Sequence, residues 1–400
     1  MANNAVEQPW DINSRLGHFV SNPSDLRRLL GVNEGLIVGS TAFQFFAKVA
    51  WPDSTLDVLV ERGPAVSEIF AYLVNEGYNQ EQTEIFYGGL PEQFTYRITP
   101  RIRDGAANTK INVINAEVMS IWGFLAGPVF STASACFITW DKAYCLFPEH
   151  TFNKRKVKFA HGLDTTYDSV LPLLREYVQR GCFLDENSFT QGPDMIQERQ
   201  ETIADLQGFR RIGDSKTWSI PLDCTGITPL EVNSTVIDKN TFHVRAEEGR
   251  SGLEITIRTG AFKCCVLKHT YTFDTREYPN DDFHEYLRWV LCRKAAKQIQ
   301  EHVDAGTFTL SKVSYRQALK KMANATEENM GGSSGCNENC HLLESRSTKD
   351  GFITPVGWKY ADDSIPEIYE EWSKRDHGAV EVEIKTDDAG NEVVVVMEDN

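Results

Sequence analysis

The sequence predicts an α+β chain, with a mixed-sheet domain followed by helical and antiparallel β regions. Residues 35–60, GLIVGSTAFQFFAKVAWPDSTLDVLV, alternate short apolar runs with an amphipathic stretch, which is the texture of strand, turn, helix, strand. Residues 217–273 break into short runs rich in β-branched and aromatic residues: TWSIPL, FHVRA, LEITIRT and KCCVLKHTYTF. Turn signals such as EEGRSG separate them. Hydrophobic content of 41% and charged content of 24% are those of an ordinary globular protein. A chain of 400 residues has room for about two to three domains.

The elements follow in order. Residues 1–34 form a lead-in with one short helix, DLRRLLG, which Ser24 can cap and Gly31 can end. Leu36-Ile37-Val38 reads as a strand, Thr41 to Ala50 as a helix, and Leu56 to Val60 as a strand. Trp51-Pro52 ends the helix, because proline and the residue before it both resist helical geometry. Pro64 to Gly77 carries Val66, Ile69, Phe70, Leu73 and Val74 on one helical face. FTYRIT and KINVI offer two strands around the polar turn RDGAANT. Val118 to Trp140 has no charged residue, but Gly127-Pro128 interrupts it and no basic flank marks it. It reads as a buried helix pair or helix-turn and not as a membrane span. Tyr167 to Gly181 reads as a helix, 186–215 as irregular, 217–273 as an antiparallel meander, and 281–304 as a strong helix. MGGSSG at 330–335 is a linker. A hairpin, VEVEI-KTDDAGN-EVVVVM, closes the chain. The expected domains are a lead-in (1–34), a mixed-sheet domain (35–160), a helical and antiparallel domain (161–330), and a linker with an acidic tail (331–400).

Charge narrows the class of partner. The formal net charge is −16, and residues 361–400 hold thirteen Asp/Glu against three Lys/Arg. The tail therefore carries −10, and the other 360 residues only about −6. A general nucleic-acid-coating surface would need a basic stripe and is not expected. The tail resembles a solvating or protein-docking appendage, so a protein partner is one expectation. Nine scattered cysteines, most in apolar runs, fit reduced buried thiols in an intracellular protein, cytoplasmic or nuclear. No basic region followed by an apolar core opens the sequence, and no membrane association is expected.

The residues that carry chemistry are Gly39-Ser40, which opens a helix, and a downstream strand beginning Thr55-Leu56-Asp57. Backbone amides at a helix start make a ready site for phosphate. This arrangement resembles the core motif of the nucleotidyltransferase fold, the polymerase-beta-like superfamily. The resemblance implies that Gly39 and Ser40 hold the triphosphate of a bound nucleotide. It also implies two carboxylates flanking one apolar residue on the next strand, and a third from a neighbouring strand. Together they would hold Mg2+ or Mn2+. Asp57 matches the second carboxylate and is the expected catalytic and metal residue. Thr55 stands where the first should be, and Asp53 is its possible helper. The strand expected to give the third offers Asn112 and Asn115, with Glu117 later. The stretches WPDSTLDVLV, KINVI, FITWDKAYCLFPEHTF and GFRRIGDSKTWSIPLD also resemble a group of uncharacterised fungal proteins, over roughly residues 35–225.

Other candidates are weaker. Cys336, Cys340 and His341 form half a zinc pattern, and no second pair is obvious. Cys264 and Cys265 read as fillers on opposite faces of a strand. Lys154, Arg155, Lys156 and Lys158 are the densest basic cluster, read as a solvated turn or a phosphate-meeting edge. His161 with Asp164 could serve as a base. The expected function is a nucleotidyltransferase-superfamily protein that binds a nucleoside triphosphate or phosphate-bearing partner, with weak or lost transfer activity. The alternatives are an active metal-dependent nucleotidyltransferase and an interaction scaffold that docks through its tail.

Overall fold

The computed structural model describes residues 10–51, 55–84, 92–98, 109–127, 131–157, 159–160, 183–184, 202–228, 233–249, 252–273, 283–307, 323, 355–374, 382–386 and 392–396. The chain divides into two compact units. One comprises Met1–Phe262 with His269–Thr275, the other Lys263–Lys268 with Arg276–Asn400.

The first unit opens with two helices, α1 (Ile12–Leu16) and α2 (Pro23–Val32). Asn22 caps α2 in place of the expected Ser24, because Pro23 takes the first helical position, where a missing N–H costs nothing. Gly31 remains helical, and α2 ends one residue later at Val32, with Asn33 as its C-cap. The chain then forms β1 (Leu36–Val38), α3 (Gly39–Ala47), β2 (Thr55–Glu61), α4 (Pro64–Asn75), β3 (Tyr78–Glu84), β4 (Glu92–Ile98), β5 (Lys110–Ala116) and α5 (Ser120–Ala126). After α5 come β6 (Cys136–Ile138), β7 (Lys142–Cys145), a π-helical turn (Glu149–Asn153), β8 (Lys156–Val157), β9 (Phe159–Ala160), β10 (Phe183–Leu184), β11 (Gly208–Arg211) and β12 (Trp218–Pro221). A short helix, α6 (Ser234–Ile237), precedes β13 (Thr241–Gly249), β14 (Gly252–Arg258), β15 (Gly260–Phe262) and β16 (Tyr271–Phe273).

Eight of these strands make one sheet in the order β12-β7-β6-β1-β2-β5-β4-β3. Within it β2 and β5 run parallel, and the other recorded pairings are antiparallel. A second sheet, β11-β13-β14-β9, is also mixed. The protein is α+β, as its sequence predicts. Alternation along β2 sends Leu56, Val58 and Val60 to a core shared with α1, α2, α3 and α4. Leu59 goes to the opposite face, into a core with Phe124, Phe137, Tyr144, Val244 and Ile255. Arg27 of α2 is buried. It donates to Trp140 O through Nε (2.9 Å) and Nη2 (2.6 Å), and to Asp223 O and Asn13 Oδ1 through Nη1 (2.7 and 2.9 Å). Burial lowers its pKa from the usual arginine value.

Two expectations are corrected here. Residues 118–140 are not a helix pair. After α5 the chain enters β6, which lies between β1 and β7. The segment lacks charge because both faces of β6 are buried. Residues 217–273 are not one meander. Trp218–Pro221 pairs with β7 at the edge of the first sheet, while β13 and β14 form a separate hairpin. KCCVLKHTYTF is split as well: only Tyr271–Phe273 is a strand, and Cys264 and Cys265 are both buried ahead of it in a turn closed by Leu267 N to Cys264 O. They do not lie on opposite faces of a strand.

In the second unit the expected long helix is α7 (Phe283–Asp304). Phe283 packs against Tyr369 and Trp372 of α8 (Ile365–Ser373), with ring centroids 5.2 and 5.3 Å away. The turn at 264–268 is held by residues 358–362. Trp358 Nε1 donates to Cys265 O, Ala361 N to Val266 O, and Lys268 N to Asp362 Oδ2. The tail hairpin forms from β17 (Val382–Thr386) and β18 (Glu392–Val396). Among the described residues no helix is long and apolar enough to cross a membrane. The expected helix at 167–181 and the expected turn at 101–108 lie outside the described residues.

Candidate functional site

The site is built where β1 turns into α3. Gly39 adopts φ +68°, a left-handed conformation that side chains with a Cβ resist. The turn needs glycine for a second reason. A Cβ at Gly39 would collide with Oδ2 of Asp57. The start of α3 therefore sits against the carboxylate of the next strand. Val38 is the register partner of Asp57 across β1 and β2, which brings the two together. No side-chain hydrogen bond caps the start of α3, so its first amides are supplied by no cap of the usual Ser, Thr, Asp or Asn kind. Ser40 is the second residue of this helix and is half-buried.

The loop from α3 to β2 is stapled at two points. Thr41 Oγ1 donates to Thr55 O (2.7 Å), and Trp51 N donates to Gln44 Oε1 (2.7 Å). The Trp51 ring lies 5.6 Å from that of Phe43. Gln44 and Thr41 were not legible as site residues. Their signal is a polar pair three apart in a helix that is apolar after Ser40. Asp53 falls between the two staples, outside the described residues.

Asp57 is half-buried and engaged on both oxygens. Oδ1 accepts from Asn112 Nδ2 at 2.7 Å, and Oδ2 faces Gly39. Asn112 is buried on β5, directly beside Asp57 in the parallel pairing. Thr55 is beside Lys110 in the same register. Residues paired in register share a face of the sheet, so Thr55, Asp57, Lys110 and Asn112 lie together on the α3-start side. On the next strand, Arg97 occupies the position opposite Lys110, and Thr95 the position opposite Asn112.

The residues the resemblance implies for a two-ion site fit poorly. Asn112 presents its NH2 to Asp57 and has no negative charge. Glu117 lies just past the far end of β5, roughly 16 Å from Asn112 at 3.3 Å per residue. Its carboxylate pairs with Arg62 at 3.3 Å. Thr55 contributes a neutral hydroxyl. Mg2+ in such sites is held by one or two carboxylates together with phosphates. Here Asp57 is the one described carboxylate among the positions the resemblance names on β2 and β5, and its Oδ1 already accepts from Asn112. Among the described residues no group of three or more His, Cys, Asp or Glu could hold a metal ion.

Of the other candidates, Lys154 is drawn 3.7 Å from Asp205, which also pairs with buried His150 Nε2 at 2.9 Å. The basic cluster is thus partly neutralised within the protein. Lys158, His161, Asp164, Cys336, Cys340 and His341 lie outside the described residues. The GFRRIGDSKTWSIPLD motif has a structural use. Buried Arg210 clamps Asp214 through Nε (2.6 Å) and Nη2 (3.0 Å), and reaches Leu146 O and Thr217 Oγ1.

No family model matches this chain, and no curated protein matches it. Among solved structures it is similar to an apo form of a CCA-adding enzyme, with a TM-score of 0.30 and 13% identity. The match covers 48% of this chain and 46% of that one, so it spans less than half of either.

Proposed function

We propose that this is a nucleotidyltransferase-fold protein that binds a nucleoside triphosphate, or another ligand bearing a phosphate chain, with weak or lost transfer activity. The observation that supports this reading is the contact between the Gly39 turn and Asp57. It brings an uncapped helix start and a strand carboxylate to one point of a mixed sheet. Amides at such a start favour anions through their free N–H groups and the helix dipole. Gly39 and Ser40 hold the phosphates, and Asp57 fixes the turn. Transfer is weak or lost because the first and third carboxylates of the resemblance fall at Thr55 and Asn112.

The test is thermal shift of the full chain with each of the four ribonucleoside triphosphates, alongside a product assay. A ligand that binds only the folded state raises apparent stability by RT ln(1 + [L]/Kd). A saturable shift that disappears in Ser40→Pro, with little or no product, is the expected result. Absence of any shift sinks the reading.

A further inference from the structure

The pairing of β6 with β7 sets two cysteines side by side. Cys136 and Cys145 are register partners, and both are fully buried and reduced. The ladder fixes the phase of that pairing. Leu146 N donates to Ala135 O at 3.0 Å, and Thr139 N to Lys142 O at 2.8 Å. Hydrogen-bonded and non-hydrogen-bonded pairs alternate along an antiparallel ladder, so Cys136 and Cys145 form a non-hydrogen-bonded pair. At such a pair the Cα atoms stand about 4.5 Å apart and the Cβ atoms about 4.5–5.5 Å. A disulfide needs Cα atoms at roughly 4.4–6.8 Å and Cβ atoms at roughly 3.5–4.5 Å. The backbone already meets the first requirement, and the side chains need to approach by about 1 Å to meet the second. Both face the same core, and Trp218 continues the row on β12 as the register partner of Cys145.

A single buried cysteine is an ordinary small core residue. Two directly opposite at a non-hydrogen-bonded position are a preformed place for a covalent bond. We propose that Cys136 and Cys145 are an oxidation site that closes reversibly to a cross-strand disulfide between β6 and β7. The oxidant is a peroxide. One thiolate attacks a peroxide oxygen: the S–O bond forms, the O–O bond breaks, and hydroxide leaves to be protonated to water. The second thiol attacks the resulting sulfenic sulfur: the S–S bond forms, the S–O bond breaks, and a second water leaves. Two thiols are thus oxidised, and one hydrogen peroxide is reduced to two waters. Exchange with an added thiol restores the pair. The bond closes a loop of about 10 residues, which restricts the unfolded chain and favours the folded first unit. β1, which leads into the Gly39 turn, pairs with β6 through Ile37 and Ile138, so the fastened hairpin flanks the strand that carries the candidate site.

The experiment exposes the folded full chain to hydrogen peroxide, blocks the remaining thiols with iodoacetamide, and maps tryptic peptides without reduction. Lys142 lies between the two cysteines, so trypsin separates them. The expected result is a linked pair of peptides, one ending at Lys142 and one beginning at Ala143. The pair is lighter by two hydrogens than the sum of its members, and dithiothreitol parts it. The oxidised protein unfolds at higher urea, with a folded-to-unfolded ratio about tenfold to hundredfold greater than that of the reduced protein. Cys145→Ala shows neither the link nor the rise. The peptide map of the unaltered protein decides the matter even if that variant does not fold. The inference is overturned if peroxide leaves the two thiols unlinked, carries either one only to sulfinic acid, or links either one to a different cysteine. A rise in urea resistance that persists in Cys145→Ala also overturns it, because another thiol would then be responsible.

Discussion

At the scale of single residues, the site turns on the contact between Gly39 and Asp57. The left-handed backbone alone costs a residue with a Cβ about 1–2 kcal/mol, and the collision with Asp57 Oδ2 adds overpacking strain. Gly39→Ala should therefore destabilise by at least about 2 kcal/mol in urea titration. Removing the carboxylate should relieve the second part only. Gly39→Ala in an Asp57→Ala background should cost less than in the native chain, and a double-mutant cycle should give a clear coupling energy. Additive losses would mean that the two residues do not press on each other. Glu34 gives the opposite case. It sits at φ +49° just after α2, where Gly35 N closes the turn onto Leu30 O. Glycine is the ordinary residue there. Glu34→Gly should stabilise by about 1 kcal/mol. Removal from water and then the Glu61 carboxylate push the Glu34 pKa up. An acid whose pKa is raised by folding favours the folded state while protonated, and loses that advantage as pH rises through its titration. The gain from Glu34→Gly should thus be larger near neutral pH than below the glutamate range.

At the scale of elements, α3 is held by an aromatic cluster as well as by its strands. Phe152 of the π-helical turn stacks on Phe43 at 5.3 Å and meets Phe46 and Trp218 at 6.1 and 5.9 Å. Trp218 also touches Trp10 at 6.2 Å. One side chain thus joins α3, the π-helical turn and β12. Phe152→Ala should cost about 3 kcal/mol, the low end for a large aromatic because Phe152 is half-buried. It should also lower the intensity and shift the wavelength of tryptophan emission. Unchanged emission would mean that Trp51 and Trp218 do not depend on it. These contacts show what the sequence could and could not reveal. β1, the Gly39 turn, β2 and α4 were legible because turn chemistry and hydrophobic period agree along 35–77. The start of α3 was placed two residues late, because Gly39 reads as a turn residue when it is also the first helical one. β6 was misread because a strand buried on both faces has no alternation to distinguish it from a buried helix. β12 was misassigned because period-2 texture identifies a strand without identifying its partner. In the site, Asp57 and Asn112 are named by the resemblance. Their hydrogen bond and the placement of Lys110 beside Thr55 depend on the parallel register of β2 and β5, which 48 intervening residues separate from any local signal.

At the scale of the whole molecule, the chain does not divide where a linear reading would cut it. The turn at Lys263–Lys268 belongs to the second unit, although the strands on either side of it, β15 and β16, pair with each other in the first. Phe273 is fully buried against Phe262 at a centroid distance of 5.3 Å, and Tyr271 is buried beside it. Thr272 N donates to Asn240 Oδ1, and Thr272 Oγ1 to Thr241 O, so β16 is bonded to the start of β13. Truncation after Phe262 would leave those partners, Asn240 among them, buried and unsatisfied, at roughly 1–3 kcal/mol for each group. It would also leave the space of two large aromatic side chains, worth about 3–5 kcal/mol apiece in a core. These losses rival the total stability of an ordinary domain. A fragment of residues 1–275 should therefore fold, with a cooperative urea transition and dispersed amide resonances. A fragment of residues 1–262 should not, even though it keeps every strand of both larger sheets and all of the candidate site. Equal cooperativity in the two fragments would show that β16 is dispensable and that the first unit ends at β15.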